Sequence, residues 1–475
     1  MADSAERQGP ATGLAVIVLA AGAGVRMRSS KAKPLHSVAG LPMIEHVFRA
    51  AEGLDPAQLV VVASPALQES LVSSFARGRF MIVVQDPPRG TGDAVLTGLQ
   101  SVSNATSVLI VYADHPLVTT AELQALIIRC QTESALVGLM TCMVDGAAGY
   151  GRIERDPANA PIAIVEQVAD DPRKRDGPTE VNSGIMVLDP EWAARALQEL
   201  PPNPIKNEVF LTDLIARAAA DRAHPCPVVA VSGSPQTLIG VNDRVELAAV
   251  DDLMRRSIRT EHMRAGVTII SPETVFIDAD VSIGSDTTIW PYTLLQAGTF
   301  IGERCEIGPH TTIERSGVGD DSHVEASVVR DSHIGKSCHV GPFSHLRNGT
   351  TLADLVHIGN FVEAKNARFA HAVRAGHMSY LGDTSIGEST NIGAGTVTCN
   401  FDGVDKHHTE IGAKVFIGSD SMLIAPLTIG DGAATGAGSV VTRDVAPGAK
   451  VVGIPARPIR RREAKSAPHR PGKGG

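Results

Sequence analysis

Residues 276–314 read FIDADVSIGSDTTIWPYTLLQAGTFIGERCEIGPHTTIE, and an aliphatic residue recurs there at every sixth position from Ile277 to Ile313. A glycine follows several of these positions, as at Gly284 and Gly302. A period of six residues is typical of a parallel β-helix, in which each hexapeptide forms one flat side of a triangular coil and its aliphatic side chain points inward. Stacking such coils about 4.8 Å apart pairs each backbone with its neighbours. The stretch predicts a left-handed parallel β-helix.

The same period continues far beyond this stretch. After Ile313 its phase slips by one residue at Val318, and it can then be followed as far as Val441. The aliphatic positions are Ile277, Ile283, Ile289, Leu295, Ile301, Ile307, Ile313, Val318, Val324, Ile334, Val340, Leu346, Leu352, Ile358, Ile386, Ile392, Ile411, Ile417, Leu423, Ile429 and Val441. Residues 398–410 interrupt the period, so we expect this segment to loop out of the prism. We assign the β-helix domain to residues 267–456.

The first half of the chain has a different pattern, in which short apolar runs alternate with segments of helical spacing. The strand-like runs are 14–20, 59–63, 80–85 and 108–112, and the helical segments are 42–51, 67–76, 91–102 and 121–131. Such alternation predicts an α/β, Rossmann-like domain whose mainly parallel sheet is covered by helices. We assign this domain to residues 14–242. Ligands of such folds bind beyond the carboxyl ends of the strands.

The remaining segments connect or flank these two domains. Residues 243–266 combine helical spacing of apolar residues with many charges, which predicts a linker helix. Residues 1–13 are expected to be a flexible N-terminus. The basic, proline- and glycine-containing stretch 457–475 is expected to be a disordered tail rather than a nucleic-acid-binding segment.

Composition excludes several classes of function. The formal net charge is −9, which disfavours nucleic acid as the main ligand. The longest strongly apolar stretch, 14–25, is too short to span a bilayer and contains glycines. The six cysteines form no CxxC pair, so we expect reduced thiols and a cytoplasmic protein. From the charge and the apolar stretch we expect neither nucleic-acid nor membrane partners.

A glycine-rich loop, LAAGAGVRM at 19–27, follows the first strand-like run. Gly22 and Gly24 could form a tight turn or a phosphate cradle, and a loop of this kind alone leaves both readings open. The loop is neither a dinucleotide fingerprint, because Met27 replaces the third glycine, nor a P-loop. Two cations just downstream, Arg26 and Lys33, suit a triphosphate and favour the cradle.

Further motifs extend this pattern. Gln85 stands five residues before Gly90-Thr91-Gly92, and the motifs YADHPL (112–117), GYGRI (149–153), VNSG (181–184), NEVFLTD (207–213) and GVNDR (240–244) follow. The second half adds LRN (346–348), NFVEAKNA (360–367), AGHMSYLGD (375–383) and NIGAGTVTCNFDG (391–403). Over about residues 14–445 the chain resembles the family of bifunctional N-acetylglucosamine-1-phosphate uridyltransferase/glucosamine-1-phosphate acetyltransferases.

The resemblance implies a UTP and sugar site in the first half. Nucleotide-binding positions would be Leu19, Ala20, Gly22, Gln85, Gly90 and Thr91, with Arg26 and Lys33 along the phosphates. Gly151, Glu166 and Asn182 would bind the N-acetylated sugar, and Asp114 and Asn242 would hold Mg²⁺. By itself Asp114 could equally be a turn residue at a strand end. The family usually has glycine at Ala113, and His115 is interpreted as a packing or surface residue rather than a ligand.

The resemblance also implies an acetyl-transfer site in the β-helix. Arg347, Lys365 and Lys406 would bind the phosphate of glucosamine-1-phosphate, and Tyr380 and Asn391 would orient its sugar. His377 would be the general base, although a lone histidine is more often a surface residue. Acetyl-CoA would contact Ala394, Asn400, Phe401, Ser419 and Ala437. Phe401 replaces the usual tyrosine of the family, and the expected arginine near Ile454 is missing.

The resemblance therefore implies a homotrimeric enzyme with two activities. Acetyl-CoA would acetylate glucosamine-1-phosphate, and UTP would then uridylylate the product with release of pyrophosphate, to supply precursors of peptidoglycan and lipopolysaccharide. Two alternatives are a monofunctional sugar-1-phosphate nucleotidyltransferase with a structural β-helix, and a non-enzymatic scaffold. The acetyl-transfer residues disfavour the first alternative, and Arg26, Lys33, Asp114 and Asn242 disfavour the second.

Overall fold

A computed structural model describes residues 11–22, 24–76, 78–146, 149–166, 177–203, 207–238 and 240–459. The chain divides into two compact units between Met254 and Arg255. The division falls within a helix, Arg244–Arg264, in the segment predicted as a linker. The domain limits assigned from the sequence stay predictions. Most of the predicted flexible N-terminus and basic tail lies outside the described residues.

The first unit is an α/β fold. Its described strands are β1 (Ala11–Ala20), β2 (Ser37–Val38), β3 (Leu41–Pro42), β4 (Pro56–Ala63), β5 (Met81–Val84), β6 (Ser107–Tyr112), β7 (Val137–Asp145), β8 (Arg152–Arg155), β9 (Pro161–Val165), β10 (Pro178–Leu188) and β11 (Val228–Ser232). The described helices are α1 (Met43–Glu52), α2 (Pro65–Ser74), α3 (Thr91–Leu99), α4 (Thr120–Glu133), α5 (Pro190–Glu199), α6 (Asp213–Ala219) and α7 (Arg244–Arg264). Each strand and helix predicted in this half overlaps one of these elements.

The main sheet of this unit has the order β11-β7-β10-β6-β1-β4-β5 among the described strands. β1 pairs in parallel with β4 and β6, and β4 pairs in parallel with β5. β10 is antiparallel to both β6 and β7, so the predicted mainly parallel sheet has one reversed strand near its middle.

The central strand β1 is apolar along most of its length because both faces of the sheet are covered. Val16 and Val18 belong to one apolar cluster, which includes Phe48 of α1. Ile17 and Leu19 belong to a second cluster on the opposite face. A strand buried on both faces reads as a continuous apolar run rather than as an alternating one. The glycine-rich loop follows directly after this strand, at the carboxyl edge of the sheet.

The second unit consists of short strands. In chain order these are β12 (Thr268–Ile269), β13 (Phe276–Ile277), β14 (Ser282–Ile283), β15 (Thr288–Ile289), β16 (Leu294–Gln296), β17 (Phe300–Ile301), β18 (Glu306–Ile307), β19 (Thr312–Glu314), β20 (Gly317–Val318), β21 (His323–Val324), β22 (Val328–Arg330), β23 (His333–Ile334), β24 (His339–Val340), β25 (His345–Arg347), β26 (Thr351–Leu352), β27 (His357–Asn360), β28 (Glu363–Phe369), β29 (Arg374–His377), β30 (Tyr380–Ile386), β31 (Asn391–Ile392), β32 (Val397–Cys399), β33 (Thr409–Ile411), β34 (Phe416–Ile417), β35 (Met422–Ile424), β36 (Leu427–Ile429), β37 (Ala434–Thr435), β38 (Val440–Val441), β39 (Lys450–Val452) and β40 (Arg457–Pro458).

These strands build a parallel β-helix. Strands three apart in sequence pair in parallel, as Ile277 pairs with Leu295 and Ile289 with Ile307. Three strands therefore form one coil, and the predicted β-helix of hexapeptide repeats is confirmed. The aliphatic positions predicted to point inward are buried, except for Ile283, which is half-buried and packs against the same core.

The sequence pattern missed part of this core. β28 and β30 are each seven residues long, and β28 buries Ala364 and Ala367 where an aliphatic residue of the repeat would stand. Thr398 likewise lies inside, where its hydroxyl donates to the Gly382 carbonyl at 2.9 Å. The chain leaves the coil between β32 and β33, within the interruption predicted at 398–410, and Phe401 forms a bridge with Lys406 across this excursion.

Candidate functional site

A cavity of about 770 Å³ opens in the first unit at the carboxyl ends of its parallel strands. The ends of β1 and β6 form its floor, and Leu19 pairs there with Tyr112. All thirteen first-unit residues that the sequence analysis assigns to nucleotide, sugar, phosphate or metal line this cavity: Leu19, Ala20, Gly22, Arg26, Lys33, Gln85, Gly90, Thr91, Asp114, Gly151, Glu166, Asn182 and Asn242. Their individual roles stay predictions.

A cluster of opposite charges and one amide lies at one side of this cavity. The Lys33 ammonium forms an ion pair with Asp114 Oδ2 and donates to Asn242 Oδ1 at 3.2 Å. Arg26 donates to the same amide oxygen at 2.8 Å. The backbone N–H of Val241 donates to the Asp114 carbonyl at 2.9 Å, which joins the two segments that carry Asp114 and Asn242.

His115 belongs to this cluster, a contact that the sequence analysis did not predict. The residue is only 7 % exposed, and Nδ1 lies 2.9 Å from Asp114 Oδ1. Burial alone would raise the pKa of the Asp114 carboxyl, but the hydrogen bond from His115 and the Lys33 ammonium together hold that pKa well below its usual range. Asp114 is therefore an ionised carboxylate at neutral pH.

The side-chain amide of Gln85 is held in a fixed orientation in another part of the cavity. The Nε2 amide of buried Gln85 donates to the Gly90 carbonyl at 3.2 Å and to Asp93 Oδ2 at 2.7 Å. These two hydrogen bonds fix the orientation of the Gln85 amide. Gly90 has a φ of +104°, and a Cβ there would lie 2.5 Å from the Val209 carbonyl oxygen, so the position requires glycine.

Two further cavity residues contact the predicted binding residues. Thr212 donates from its hydroxyl to Glu166 Oε1 at 3.0 Å. Tyr112 pairs in register with Leu19, and burial beside the Asp114 and Glu166 carboxylates raises its pKa well above the usual value. Both residues fall inside motifs noted in the sequence, but only the folded chain shows which predicted residue each one contacts.

In the second unit the structure brings the predicted phosphate-binding cations together. Arg347 pairs in register with Lys365 on adjacent strands and donates from Nε to Glu363 Oε1 at 2.9 Å. The Lys406 ammonium and, to a smaller extent, the Arg347 guanidinium lower the pKa of Lys365. Cations that face one another in this way form a site for a multiply charged anion.

Tyr380 lies beside this group of cations. It pairs in register with Glu363, and its hydroxyl lies over Gly382, close to the Asn400 amide. Asn400 donates to Asp383 Oδ2 at 2.5 Å. The predicted sugar-binding tyrosine and the first predicted acetyl-CoA residue of the excursion are therefore neighbours.

The predicted base and the other predicted acetyl-CoA residues occupy other places on the β-helix. His377 is exposed at the end of β29, and Asn391 begins the next strand of that face. Ala394, Ser419 and Ala437 stack on successive coils, since the Asp420 N–H donates to the Ala394 carbonyl at 2.7 Å and the Gly438 N–H to the Ser419 carbonyl at 2.8 Å. Phe401 is 59 % exposed on the excursion. Phe401 bridges Lys406 through the backbone, but in the described part of the chain no side-chain hydrogen bond or ion pair joins His377, Asn391, Ala394, Ser419 or Ala437 to the cations.

Comparison with known proteins matches both units. The model of the MobA-like NTP transferase domain matches residues 16–146, that of the GMPPB C-terminal domain matches 271–372, and that of the bacterial transferase hexapeptide (six repeats) matches 408–443. The bifunctional protein GlmU of Corynebacterium jeikeium is 41% identical over 447 residues, covering 92% of this chain and 90% of its own. That of Mycolicibacterium gilvum is 42% identical over 466 residues, covering 96% and 92%.

The chain belongs to the bifunctional protein GlmU family. A third relative, from Streptomyces coelicolor, is 38% identical over 444 residues and covers 92% of this chain and 91% of its own. The family predicted from the sequence motifs is thus confirmed. Because the match extends over both units, it includes the α/β fold as well as the β-helix.

The charged cluster in this GlmU-family chain fits a Mg²⁺ ion bound together with a phosphate. Among the described residues no group of three or more histidine, cysteine, aspartate or glutamate side chains could hold a metal by itself. Mg²⁺, however, is usually bound by one or two protein oxygens together with substrate phosphates and water. Oδ2 of Asp114 and Oδ1 of Asn242 already meet at one cation, the Lys33 ammonium.

No described helix is long and apolar enough to cross a bilayer.

Proposed function

We propose that this chain is a bifunctional enzyme of UDP-N-acetylglucosamine synthesis. Its β-helix unit transfers an acetyl group from acetyl-CoA to the amine of glucosamine-1-phosphate, and its first unit transfers a uridylyl group from UTP to N-acetylglucosamine-1-phosphate. The product is a precursor for peptidoglycan and lipopolysaccharide. The main support is that all thirteen predicted nucleotide, sugar and metal residues line one cavity in a chain of this family.

In uridylyl transfer, a phosphate oxygen of the sugar phosphate attacks the α-phosphorus of UTP in line. The bond from the α-phosphorus to the bridging oxygen breaks, and pyrophosphate leaves with that electron pair. Arg26 and Lys33 align and neutralise the phosphates, so the reaction depends on positioning and charge rather than on a covalent intermediate. Mg²⁺, held by Asp114 and Asn242, supplies further charge neutralisation when bound.

Residues around the cavity supply the selectivity for the base and the sugar. Gln85 presents a fixed amide to the uracil, and Gly90 lets its loop pack closely against Val209 beside the nucleotide. Glu166, held by Thr212, and Asn182 bind hydroxyl and acetamido groups of the sugar. Side chains whose orientation is fixed before binding lose little entropy when the substrate arrives.

In acetyl transfer, His377 takes a proton from the substrate ammonium, because only the neutral amine is nucleophilic. The amine nitrogen attacks the thioester carbonyl carbon, the C–S bond then breaks, and coenzyme A leaves as the thiolate, which takes up the proton that the acetylated nitrogen loses. Arg347, Lys365 and Lys406 bind the sugar phosphate. Tyr380 and Asn391 orient the sugar, and Ala394, Asn400, Phe401, Ser419 and Ala437 contact acetyl-CoA.

The active form is a homotrimer, in which the excursion 400–408 reaches a neighbouring subunit. Its two apolar residues, Phe401 and Val404, are 59 % and 83 % exposed, so the excursion offers apolar surface for a neighbouring subunit to cover. The protein works in the cytoplasm, where its free cysteines stay reduced. Analytical ultracentrifugation tests the trimer, and a monomer with full acetyltransferase activity would contradict it.

Two parallel assays on one preparation test the proposed function. The first measures pyrophosphate release from UTP and N-acetylglucosamine-1-phosphate in the presence of Mg²⁺. The second measures free-thiol release from acetyl-CoA and glucosamine-1-phosphate. We expect both activities. Pyrophosphate release alone would favour the monofunctional alternative, and the absence of both activities would favour the scaffold.

A further inference from the structure

His115 lies between the two segments that carry the predicted metal-binding residues. Its ring centroid is 5.6 Å from that of Tyr112, at the end of β6, with an angle of 52° between the rings. On its other side the ring lies against Gly240, where an added Cβ would stand 2.9 Å from His115 Cε1. Gly240 is two residues before Asn242 in the chain. The absence of a side chain at position 240 thus provides the space for the imidazole.

The hydrogen bond of His115 distinguishes the two oxygens of the Asp114 carboxylate. Nδ1 lies 2.9 Å from Oδ1, whereas Oδ2 is paired with the Lys33 ammonium, which also donates to Asn242 Oδ1. One oxygen is therefore held by the imidazole and the other is directed to the predicted cation position. A carboxylate fixed in this way cannot rotate to present both oxygens to a cation without breaking the bond to His115.

The packing of His115 and its hydrogen bond both act on the two predicted metal-binding residues, Asp114 and Asn242. The Val241 N–H already links its segment to the Asp114 carbonyl at 2.9 Å, and the imidazole fills the space beside this link. A side chain that was interpreted from the sequence as packing or surface is thus buried, polar and bonded to the carboxylate. Hydrogen-bond partners of metal-binding carboxylates orient them for the metal.

We propose that His115 is a positioning residue for uridylyl transfer, which holds Asp114 as a one-oxygen ligand and sets its spacing to Asn242. The inference rests on the proposed uridylyltransferase function and extends it by one residue. His115 contacts neither the reacting phosphates nor the metal in this arrangement, and it acts through Asp114. Loss of such a partner typically costs 10–100-fold in metal affinity or activity.

Two variants of equal size separate hydrogen bonding from packing. His115→Asn retains an N–H donor at the position of Nδ1, whereas His115→Leu has the same branched shape without a donor. We expect His115→Leu to raise the Mg²⁺ concentration for half-maximal pyrophosphate release by about 10-fold or more, with a smaller fall in kcat at saturating Mg²⁺. His115→Asn should recover most of this loss. Acetyl transfer should be unchanged in both.

Direct metal binding provides a readout besides activity. The Mn²⁺ electron paramagnetic resonance signal is titrated with each variant and a non-cleavable α,β-methylene analogue of UTP, and the analogue alone is the reference. We expect weaker Mn²⁺ binding by His115→Leu than by His115→Asn. If His115→Leu does not fold, His115→Gln, whose amide cannot reach the Nδ1 position, replaces it in the comparison.

The outcomes separate the two proposals. If the Asn and Leu variants bind Mn²⁺ equally and share one Mg²⁺ dependence, His115 is only a packing residue and the inference is wrong. If the unsubstituted enzyme shows no Mg²⁺-dependent pyrophosphate release, the proposed function itself fails. Equal melting temperatures with different Mn²⁺ affinities would support the positioning role.

Discussion

The guanidinium of Arg26 donates to Asn242 Oδ1 at 2.8 Å, and the Lys33 ammonium reaches the same oxygen at 3.2 Å. Lys33 also forms an ion pair with Asp114. The two cations predicted to bind phosphate therefore lie against the two residues predicted to bind Mg²⁺. These four side chains form one cluster, so removing the single carboxylate among them alters the charge balance of the whole group.

Asp114→Asn should lower uridylyl transfer by about 10²–10³-fold, the usual effect of removing one group that stabilises charge in a transition state. The amide keeps the size of the side chain but not its charge. Acetyl transfer should stay near the unsubstituted rate because it takes place in the other unit. Asp145→Asn, at the exposed end of β7, is the matched control. Unchanged pyrophosphate release in Asp114→Asn would show that Asp114 is only a turn residue.

Gly90→Ala should impair nucleotide binding through backbone strain and a steric clash. The φ at Gly90 is +104°, and an added Cβ would lie 2.5 Å from the Val209 carbonyl oxygen. Strain of about 1–3 kcal/mol is expected at such a position, together with a higher KM for UTP. Gly146→Ala is the control, because Gly146 also has a positive φ but a Cβ added there would meet nothing within 4 Å. Similar KM values in both variants would refute the role assigned to close packing at Gly90.

Much of this fold could be predicted from the sequence because both units repeat simple patterns. The hexapeptide period shows directly which side chains point inward, as the burial of Ile277 and Ile289 confirms. The pattern fails at β28, where the inward residues are Ala364 and Ala367, since alanine does not mark a buried position by itself. In the first unit, β10 reads like any other strand, and its antiparallel direction depends on long-range pairing with β6 and β7.

For the candidate site, the sequence predicted the residues that line the cavity but not all of the contacts between them. All thirteen residues predicted for the first unit line one cavity, as expected for residues in short segments at the carboxyl ends of strands. The contacts of His115 with Asp114 and of Thr212 with Glu166 could not be predicted. The first depends on the space left by Gly240, 125 residues away, and the second joins residues 46 positions apart. Sequence spacing alone does not show either contact.

A column of stacked histidines predicts a pH dependence of stability in the β-helix. The ring centroids of His323 and His339 are 4.9 Å apart, and those of His339 and His357 are 5.0 Å apart. Burial, and then the neighbouring imidazoles, lower the pKa of His339, while the Glu325 carboxylate opposes this shift. The outer rings are flanked by other charges: Glu306 lies 3.3 Å from His323, and burial followed by the Arg374 cation lowers the pKa of His357.

The direction in which stability changes with pH follows from the lowered pKa of His339. Below the pKa of about 6.5 expected for the unfolded chain, the unfolded state binds a proton that the folded state does not, so stability falls as the pH falls. Between pH 7.5 and 5.5 the Tm of His339→Thr should therefore fall by a few degrees less than the Tm of the unsubstituted protein. In a unit of this size, 1 kcal/mol corresponds to about 2–4 °C. The exposed His333→Thr is the control. Identical pH slopes for all three proteins would contradict the prediction.

His377→Ala should lower acetyl transfer by about 10²–10⁴-fold, the usual contribution of a positioned general base. Uridylyl transfer should stay near the unsubstituted rate, because His377 is exposed in the second unit and the cavity proposed for UTP lies in the first. Raising the pH should partly restore the variant, since more of the substrate amine is then already neutral. The exposed His371→Ala serves as the control for removing an imidazole from the same unit. A purely structural histidine would instead lower the melting temperature and both activities together. Both rates and the melting temperature are therefore measured on one preparation, and unaffected acetyl transfer would show that His377 is not the base.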